Sequence, residues 1–269
     1  MPFLSKLATS TTIFDNILMP QFVRESIAST LCAFCNFPYI RRRAKFHRNP
    51  KFKCFPKFLE KINYSNYMLG SYRLLSDNIL DFFRRRSFHM LDGTVHHKYT
   101  DHEAADWLIS NFLPKLKYSQ PFLFVFYTVN THWGKYVHQC PKKFRKYNDD
   151  ALDEFECVDI WVKKLYNALK EQEYFNQTEI IIYGDHNRGY TPTYRSEAII
   201  LPQHKWGNIS KLINYYDFVH LVFHLLNISD TSPEFIFGSD PLSPDYNWKP
   251  PNSDELQYIY KSSISSFFI

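Results

Sequence analysis

Between Glu179 and His186 the chain reads EIIIYGDH. The first five residues are a run of strand length that is apolar after Glu179, and Gly184, an acid and an imidazole follow it. A strand that is apolar on both faces is typical of the centre of a sheet that is covered by helices. Open parallel sheets bind their ligands outside the carboxyl ends of their strands, so Asp185 and His186 are placed where a site is expected.

A second run of the same kind, PFLFVFYT, spans Pro121–Thr128 and leads to His132. Apolar residues recur at helical spacing over residues 149–172, which lie between the two runs. Strand, helix and strand in this order predict the α/β class, with a mostly parallel central sheet and helices on both faces. We expect Phe122–Thr128 and Glu179–Tyr183 to be adjacent or near-adjacent parallel strands in the middle of one sheet.

Shorter patterns predict the remaining elements. Helices are expected at residues 3–8, 26–33, 57–62, 101–113 and 216–226, and strands at residues 12–17, 67–70 and 198–201.

The composition is that of a globular chain with a sizeable core. The 269 residues are 45% hydrophobic and 22% charged, which excludes global disorder and fits one large domain with a short appendage. The sequence has no apolar run long enough to span a membrane, and its opening residues do not have the pattern of a signal peptide.

The net charge of +5 is unevenly distributed. Basic residues cluster within residues 41–53 and at Arg84–Arg86, either as a surface for anionic partners or as a solvated basic face. No nucleic-acid-binding module accompanies them, so no nucleic-acid partner is expected. The five cysteines predict no even disulfide set, and sequons at Asn63, Asn176, Asn208 and Asn227 are interpreted as chance occurrences.

Three positions carry side chains suited to catalysis. Asp185 and His186 offer an oxygen and an imidazole ligand that suit zinc or manganese, although a turn acid beside a surface histidine has the same pattern. His132 is suited to bind an anion or to protonate a leaving group, or it is a structural histidine. Ser26 opens a predicted helix, where it is either a metal-activated nucleophile or a helix cap.

The order of these motifs resembles the alkaline-phosphatase-like superfamily. Within it, the chain is similar to the sulfatase-like membrane enzymes, namely lipid A phosphoethanolamine transferases and lipoteichoic acid synthases. The segments that resemble family motifs are Met1–Asn16 (the TPFLDKLAKES…FDN motif), Ser26–Phe34 (the nucleophile helix), Phe55–Gly70, Tyr127–Tyr147 (the HTNGSHGP…YPxxFrkf motif), Ile180–His186 (the TiiiYGDHG motif) and Tyr216–Leu226.

The resemblance implies a metal-dependent phosphotransferase that moves a phosphoethanolamine-type group to a lipid or glycan acceptor. Ser26 would form the covalent intermediate and would ligate one divalent metal, zinc rather than manganese, together with Asp185 and His186. His132 would bind substrate or donate a proton. An anionic lipid or glycolipid would be the substrate, at a membrane surface, since the family is membrane-anchored with an extracytoplasmic catalytic domain.

The resemblance further implies a catalytic domain at residues 1–228 that lacks the family's first strand, and an irregular tail at residues 229–269. The family's acidic metal ligand lies upstream of the segment that opens this chain, and no histidine matches the one that usually follows the Asp-His pair. Two alternatives therefore stay open: a hydrolase of phosphate or sulfate esters, and a truncated, inactive relative. Ala28 and Thr30 stand where the sulfatase maturation motif has proline and arginine, which favours phosphotransfer over sulfate hydrolysis.

Overall fold

The structure of the chain is a computed structural model. It describes residues 1–18, 30–31, 54–70, 79–91, 99–117, 119–131, 137–184, 195–201, 206–229 and 239–247. The chain forms two compact units. The first unit comprises residues 1–12, 59–180 and 201–207, and the second comprises residues 13–58, 181–200 and 208–269.

The helices of the described residues are α1 (Pro2–Ser10), α2 (Phe55–Lys61), α3 (Ile79–Arg84), α4 (Asp101–Trp107), α5 (Asp150–Lys170) and α6 (Phe218–Leu225). The strands are β1 (Thr12–Leu18), β2 (Ser65–Gly70), β3 (His89–Met90), β4 (Phe122–Tyr127), β5 (Ile180–Tyr183), β6 (Arg195–Leu201), β7 (Asn208–Ile209) and β8 (Ile213–Asn214). The predicted α/β class is confirmed.

A three-stranded sheet in the order β3-β2-β4 forms the centre of the first unit. β2 pairs with β4 in parallel along its whole length, from Ser65 opposite Phe122 to Gly70 opposite Tyr127. Leu69 of β2 is fully buried in a cluster with Ala104 and Leu108. The apolar face predicted over residues 101–113 therefore packs on this sheet.

The start and the end of that helical segment have separate causes. Thr100 and Glu103 form a capping box, in which each side chain accepts a hydrogen bond from the backbone of the other residue. After Trp107 the segment continues as a π-helical turn, Leu108–Phe112, and ends in a 3-10 turn that contains Pro114. Proline has no N–H to donate and fits only the first turn of a helix, so the regular helix ends before it.

Helix α5 buries four acidic residues, although acids are usually exposed. One of them, Asp159, accepts hydrogen bonds from the backbone N–H groups of Phe3 and Leu4, each at 2.8 Å. These N–H groups belong to the first turn of α1, where no intrahelical acceptor exists. Asp159 thus caps α1 from another helix and balances its own burial with two charge-assisted hydrogen bonds.

The second unit contains the other sheet, with the order β5-β6-β1-β7 and with β8 also paired to β1. β1 pairs in parallel with both β7 and β8. Phe14 and Ile17 of β1 are fully buried and pack with the apolar face of α6. Strand β1 is therefore the centre of this unit's core.

Residues 239–247 pack against the core of the second unit. Tyr246 and Leu242 contact that core, and the Tyr246 hydroxyl donates a 2.8 Å hydrogen bond to buried Asp217. Asp217 also accepts from the backbone N–H of Ser239. Burial raises the pKa of Asp217, while its hydrogen bonds oppose that rise. A boundary at residue 228 between a catalytic domain and a tail remains a prediction.

One prediction about the sheet is wrong. The sequence predicts β4 and β5 as adjacent or near-adjacent strands of one sheet, but they belong to different sheets of the described residues. Both runs have the composition of a central strand, yet β4 is half-buried and pairs with β2 along one edge over six residues, and β5 is half-buried up to exposed Tyr183. The apolar pattern predicts a strand but carries no information about which strand pairs with it.

The second basic cluster, Arg84–Arg86, is exposed to solvent only in part. Arg84 and Arg85 are exposed, whereas Arg86 is buried and lies 5.2 Å from the ring of Phe82. Burial and the neighbouring charge of Arg85 lower the pKa of Arg86.

None of the helices in the described part of the chain combines the length and the apolarity that a bilayer crossing needs.

Replacing Asp159 with asparagine should destabilise the fold. The amide keeps one acceptor but presents N–H groups to the backbone N–H groups of α1, so we expect a loss of about 1–3 kcal/mol in the free energy of unfolding. Urea denaturation measures this loss. Glu171→Gln is the matched control, because Glu171 is exposed at the end of the same helix and its change should cost less than about 0.5 kcal/mol. Equal stability of Asp159→Asn and the parent would contradict the capping role.

Glu179 should make stability depend on pH. Burial raises its pKa from 4.5 to about 7, so the folded state favours the protonated acid. The stability that Glu179 contributes is fully present below pH 4.5 and is lost as the pH rises through about 7. Glu179→Gln should therefore raise Tm relative to the parent at pH 8 and leave it nearly unchanged at pH 4. A pH-independent difference in thermal unfolding would count against this account.

Candidate active site

The four predicted site residues, Ser26, His132, Asp185 and His186, lie outside the described residues, so their positions stay predictions. The structure does describe the chain on either side of them. The backbone that leads to each predicted group is therefore described for each unit by itself.

In the second unit, one hydrogen bond joins two of the predicted segments. The Tyr183 hydroxyl donates to the hydroxyl oxygen of Thr30 at 3.3 Å. Tyr183 ends β5 two positions before Asp185, and Thr30, a buried residue with helical backbone, lies four positions after Ser26. The contact thus links the segment of the predicted nucleophile to the strand that precedes the predicted metal ligands.

The ring of Tyr183 is held in place from another side. It packs against Phe218, with 4.8 Å between the ring centroids, and Phe218 is the first residue of α6. An aromatic pair at this distance adds packing energy to the area that it buries. The hydroxyl of Tyr183 is therefore directed by a ring whose position the core of the second unit fixes.

In the first unit, Asp101 holds the chain that leaves β4. Its carboxylate accepts a hydrogen bond from the backbone N–H of Asn130 at 2.7 Å and a bifurcated one from that of Val129, at 2.9 and 3.2 Å. Asp101 is fully buried at the first position of α4. The backbone two residues before His132 is therefore anchored by a buried carboxylate.

The side chain of Asn130 has an unsatisfied acceptor. Its Oδ1 is buried and has no hydrogen-bond partner among the residues that the structure describes. A buried polar atom without a partner costs about 1–3 kcal/mol, so such an atom calls for an explanation. Its place at the carboxyl end of β4 suits an acceptor for a hydroxyl or ammonium group of a substrate.

The segment after His132 is fixed to α5 by covalent and polar contacts. Cys140 and Cys157 form a disulfide, with 6.0 Å between their Cα atoms. Asp153 accepts hydrogen bonds from the backbone N–H groups of Lys146 and Tyr147, at 2.7 and 2.9 Å. This segment is the one whose sequence resembles a transferase motif, and α5 supports it.

The five cysteines form no even disulfide set, as their odd number predicts, yet several of them pair. Besides the bond between Cys140 and Cys157 of α5, Cys54 is also disulfide-bonded. An odd total does not prevent pairing of the other cysteines, and proximity in the fold decides which of them pair.

Some charged side chains of this segment have a hydrogen-bond partner, and others are exposed to solvent. Lys146 forms an ion pair with the buried carboxylate of Glu156, and this hydrogen bond raises the pKa of Lys146. The guanidinium of Arg145 donates two hydrogen bonds to the carbonyl oxygen of Cys140. Lys142 and Lys143 are exposed, so the segment presents positive charge to the solvent.

The described residues contain no group of three or more histidine, cysteine, aspartate or glutamate side chains arranged to hold a metal ion. A metal site in this chain would therefore need at least one ligand from outside the described residues, and the predicted ligands lie there. Their donor types, one carboxylate, one imidazole and one ionisable hydroxyl, fit zinc, which takes about three protein ligands and one open position in catalytic sites.

Sequence reasoning missed the residues that support the site. Asp101 was considered only as the start of a helical run, although the TDHE pattern at Thr100–Glu103 identifies a capped helix end. The contact between Tyr183 and Thr30 had no signal in the sequence, because it joins residues far apart in the chain.

Comparison with solved structures identifies the fold. A protein of the alkaline phosphatase superfamily from Vibrio parahaemolyticus matches with a TM-score of 0.76 and 17% identity, over 91% of this chain and 64% of that one. The lipoteichoic acid synthase LtaP from Listeria monocytogenes matches with a TM-score of 0.75 and 14% identity, over 98% of this chain and 85% of that one. A phosphonate monoester hydrolase from Silicibacter pomeroyi matches with a TM-score of 0.59 and 14% identity, over 92% of this chain and 73% of that one.

These similarities confirm the predicted fold, which is that of alkaline-phosphatase-like and sulfatase-like proteins. The chain spans somewhat less than two thirds of the Vibrio structure's length. No curated protein sequence matches the chain significantly. The Sulfatase family model matches residues 1–228. The chain therefore belongs to the Sulfatase family.

Proposed function

We propose that the chain is a metal-dependent phosphotransferase that moves a phosphoethanolamine-type group from a lipid donor to a lipid or glycan acceptor. The hydrogen bond between Tyr183 and Thr30 is the observation that carries this proposal, because it brings together the segments of the predicted nucleophile and the predicted metal ligands. Membership of the Sulfatase family supports an enzyme of this superfamily.

The choice of transfer over hydrolysis has two supports. The match to LtaP has a higher TM-score and covers more of both chains than the match to the phosphonate monoester hydrolase. The segment after His132, which resembles the transferase motif, presents exposed Lys142 and Lys143. Exposed lysines attract the phosphates of an anionic lipid surface.

The reaction proceeds in two steps. Ser26, whose hydroxyl proton has passed to solvent, attacks the donor phosphorus through Oγ, the bond between phosphorus and the lipid oxygen breaks, and protonated His132 gives its proton to that leaving oxygen. His132 then takes the proton of the acceptor hydroxyl, the acceptor oxygen attacks the phosphorus of the Ser26 ester, and the bond from phosphorus to Ser26 Oγ breaks and releases the serine alkoxide. Zinc held by Asp185, His186 and Ser26 would supply Lewis-acid stabilisation of the phosphoryl oxygen and a lower pKa for the serine hydroxyl.

The surrounding residues position these groups. Asp101 holds the backbone that carries His132, and Asn130 Oδ1 offers an acceptor to the ammonium or a hydroxyl of the substrate. The disulfide of Cys140 and Cys157 supports an extracytoplasmic catalytic domain, since such bonds persist in oxidising compartments. Action at a membrane surface follows from a lipid substrate and is part of the proposal.

Ser26→Ala should abolish the covalent intermediate. The parent chain, incubated with zinc and phosphatidylethanolamine and quenched in acid, should carry a phosphoethanolamine group on the peptide that contains Ser26, as detected by mass spectrometry. Ser29→Ala is the matched control, because it removes a nearby hydroxyl that has no assigned role, and it should keep the adduct.

Three results would contradict the proposal. Release of diacylglycerol by Ser26→Ala at the parent rate would exclude Ser26 as the nucleophile. Equal turnover with and without an added lipid or glycan acceptor would favour a hydrolase. The absence of both adduct and turnover in the parent, with zinc present, would favour an inactive relative.

Asp101→Asn should lower both stability and turnover. The amide replaces charge-assisted hydrogen bonds to two backbone N–H groups, so the backbone before His132 loses its anchor. We expect a loss of about 1–3 kcal/mol in unfolding free energy and a roughly 10–100-fold lower kcat, because small displacements of catalytic groups are costly. Denaturant unfolding and a chromogenic phosphodiester assay measure the two effects.

Asp106→Asn on the same helix is the control for that experiment. Asp106 is partly exposed and pairs with Lys164, so its removal should cost less than about 1 kcal/mol and leave kcat unchanged. A stable Asp101→Asn variant with normal kcat would show that Asp101 does not position the site.

A further inference from the structure

The four sequons share one feature in the structure. The side chains of their asparagines, Asn63, Asn176, Asn208 and Asn227, are all exposed. Exposure alone decides little, because asparagine is mostly exposed in proteins. The local backbone and the hydrogen bonds of each asparagine separate the four into two pairs.

Two of the asparagines have a structural reason for being where they are. Asn63 and Asn227 have φ angles of 66° and 52°, a left-handed conformation that asparagine tolerates better than most residues. Each follows a helix end that is closed by a hydrogen bond to the residue five positions earlier, Tyr64 N–H to Leu59 and Ile228 N–H to Phe223. The requirements of helix termination explain these two asparagines.

Helix termination does not explain the asparagines at positions 176 and 208. Asn176 lies in the 3-10 turn Phe175–Gln177, and Asn208 opens β7. The structure gives neither residue a positive φ angle, and their side chains make no hydrogen bond with any residue that it describes. Their amide groups are therefore directed to solvent and are available for modification.

The disulfides are a second, independent observation. Cys140 and Cys157 are joined, and Cys54 is also disulfide-bonded. Disulfides form and persist in secretory and extracellular compartments. Chains that enter such compartments also meet the enzymes that modify Asn-x-Ser/Thr sequons on surface loops. Exposed sequons and disulfides therefore point to the same compartment.

We propose that Asn176 and Asn208 are acceptor sites for N-linked glycans. The amide nitrogen of each asparagine forms a bond to the anomeric carbon of an oligosaccharide and loses one proton. The bond between that carbon and the phosphate of a polyprenyl-diphosphate donor breaks, and the diphosphate leaves with the electron pair. Both acceptor asparagines are exposed, so a bulky glycan can extend from their side chains without displacing core residues.

Each acceptor lies at the amino end of its own strand. Asn176 precedes β5, which begins at Ile180, and Asn208 is the first residue of β7. Parallel sheets bind substrates at the carboxyl ends of their strands. A glycan at either position therefore extends from the end of its strand that is opposite to the end where substrates bind.

Secretion of the full chain from cultured animal cells, directed by an added cleavable signal peptide, tests the proposal. Treatment with peptide N-glycosidase converts each glycan-bearing asparagine to aspartate, which peptide mass spectrometry detects. We expect aspartate at positions 176 and 208. Asn176→Gln and Asn208→Gln should each remove one glycan-sized step of electrophoretic mobility, and the double variant should remove two.

Matched variants separate loss of the sequon from misfolding. Thr178→Ser and Ser210→Thr keep both sequons and should keep both glycans, whereas Asn148→Gln changes an exposed asparagine outside any sequon and should change nothing. Unmodified Asn176 and Asn208 in a secreted chain whose Cys140–Cys157 disulfide has formed would overturn the proposal. Glycans at Asn63 or Asn227 alone, or free thiols at Cys140 and Cys157, would overturn it as well.

Discussion

Buried carboxylates that accept hydrogen bonds from backbone N–H groups are the interactions on which the rest of this structure depends. Asp159 holds the start of α1, Asp101 holds the backbone after β4, and Asp153 holds the segment before α5. A buried charge is costly unless it is paired or hydrogen-bonded. Each carboxylate thus fixes one connection in a single geometry, since any other geometry would leave the charge unsatisfied.

A buried carboxylate that accepts several hydrogen bonds also occurs in the second unit. Asp217 accepts hydrogen bonds from the N–H groups of Asn214 and Ser239 and from the hydroxyl of Tyr246. In both units, then, apolar packing builds the sheets and helices, and carboxylates fix the connections that leave them. This division of roles explains how these connections keep defined conformations in a chain with few glycines.

The sequence predicted the elements well and their arrangement less well. Helix 149–172 is observed as α5, Asp150–Lys170, and strand 12–17 as β1, Thr12–Leu18, because both have clear apolar periodicity. An analysis of apolar periodicity assigns acidic residues to the surface, so it does not predict that Asp153 and Asp159 are buried. It also could not assign β4 and β5 to different sheets, since strand pairing depends on contacts between residues far apart in the chain.

The supporting contacts of the candidate site were likewise not predictable from the sequence. Motif order predicted the nucleophile, the proton donor and the metal ligands, and these remain predictions. The supporting contacts of Asp101 and Tyr183 became visible only in the folded chain, because neither residue belongs to a motif with a chemical signature. Residues that position a site are recognised by their hydrogen bonds, and a single sequence does not contain that information.

The disulfide between Cys140 and Cys157 has a consequence for the order in which the chain folds. It closes a loop between cysteines only 17 residues apart in the sequence, so the two thiols meet often in an unfolded chain. Domains begin to fold while synthesis continues from the amino terminus. The crosslink can therefore form before β5 is synthesised, and α5 would already be covalently tethered to the preceding segment when the later strands appear.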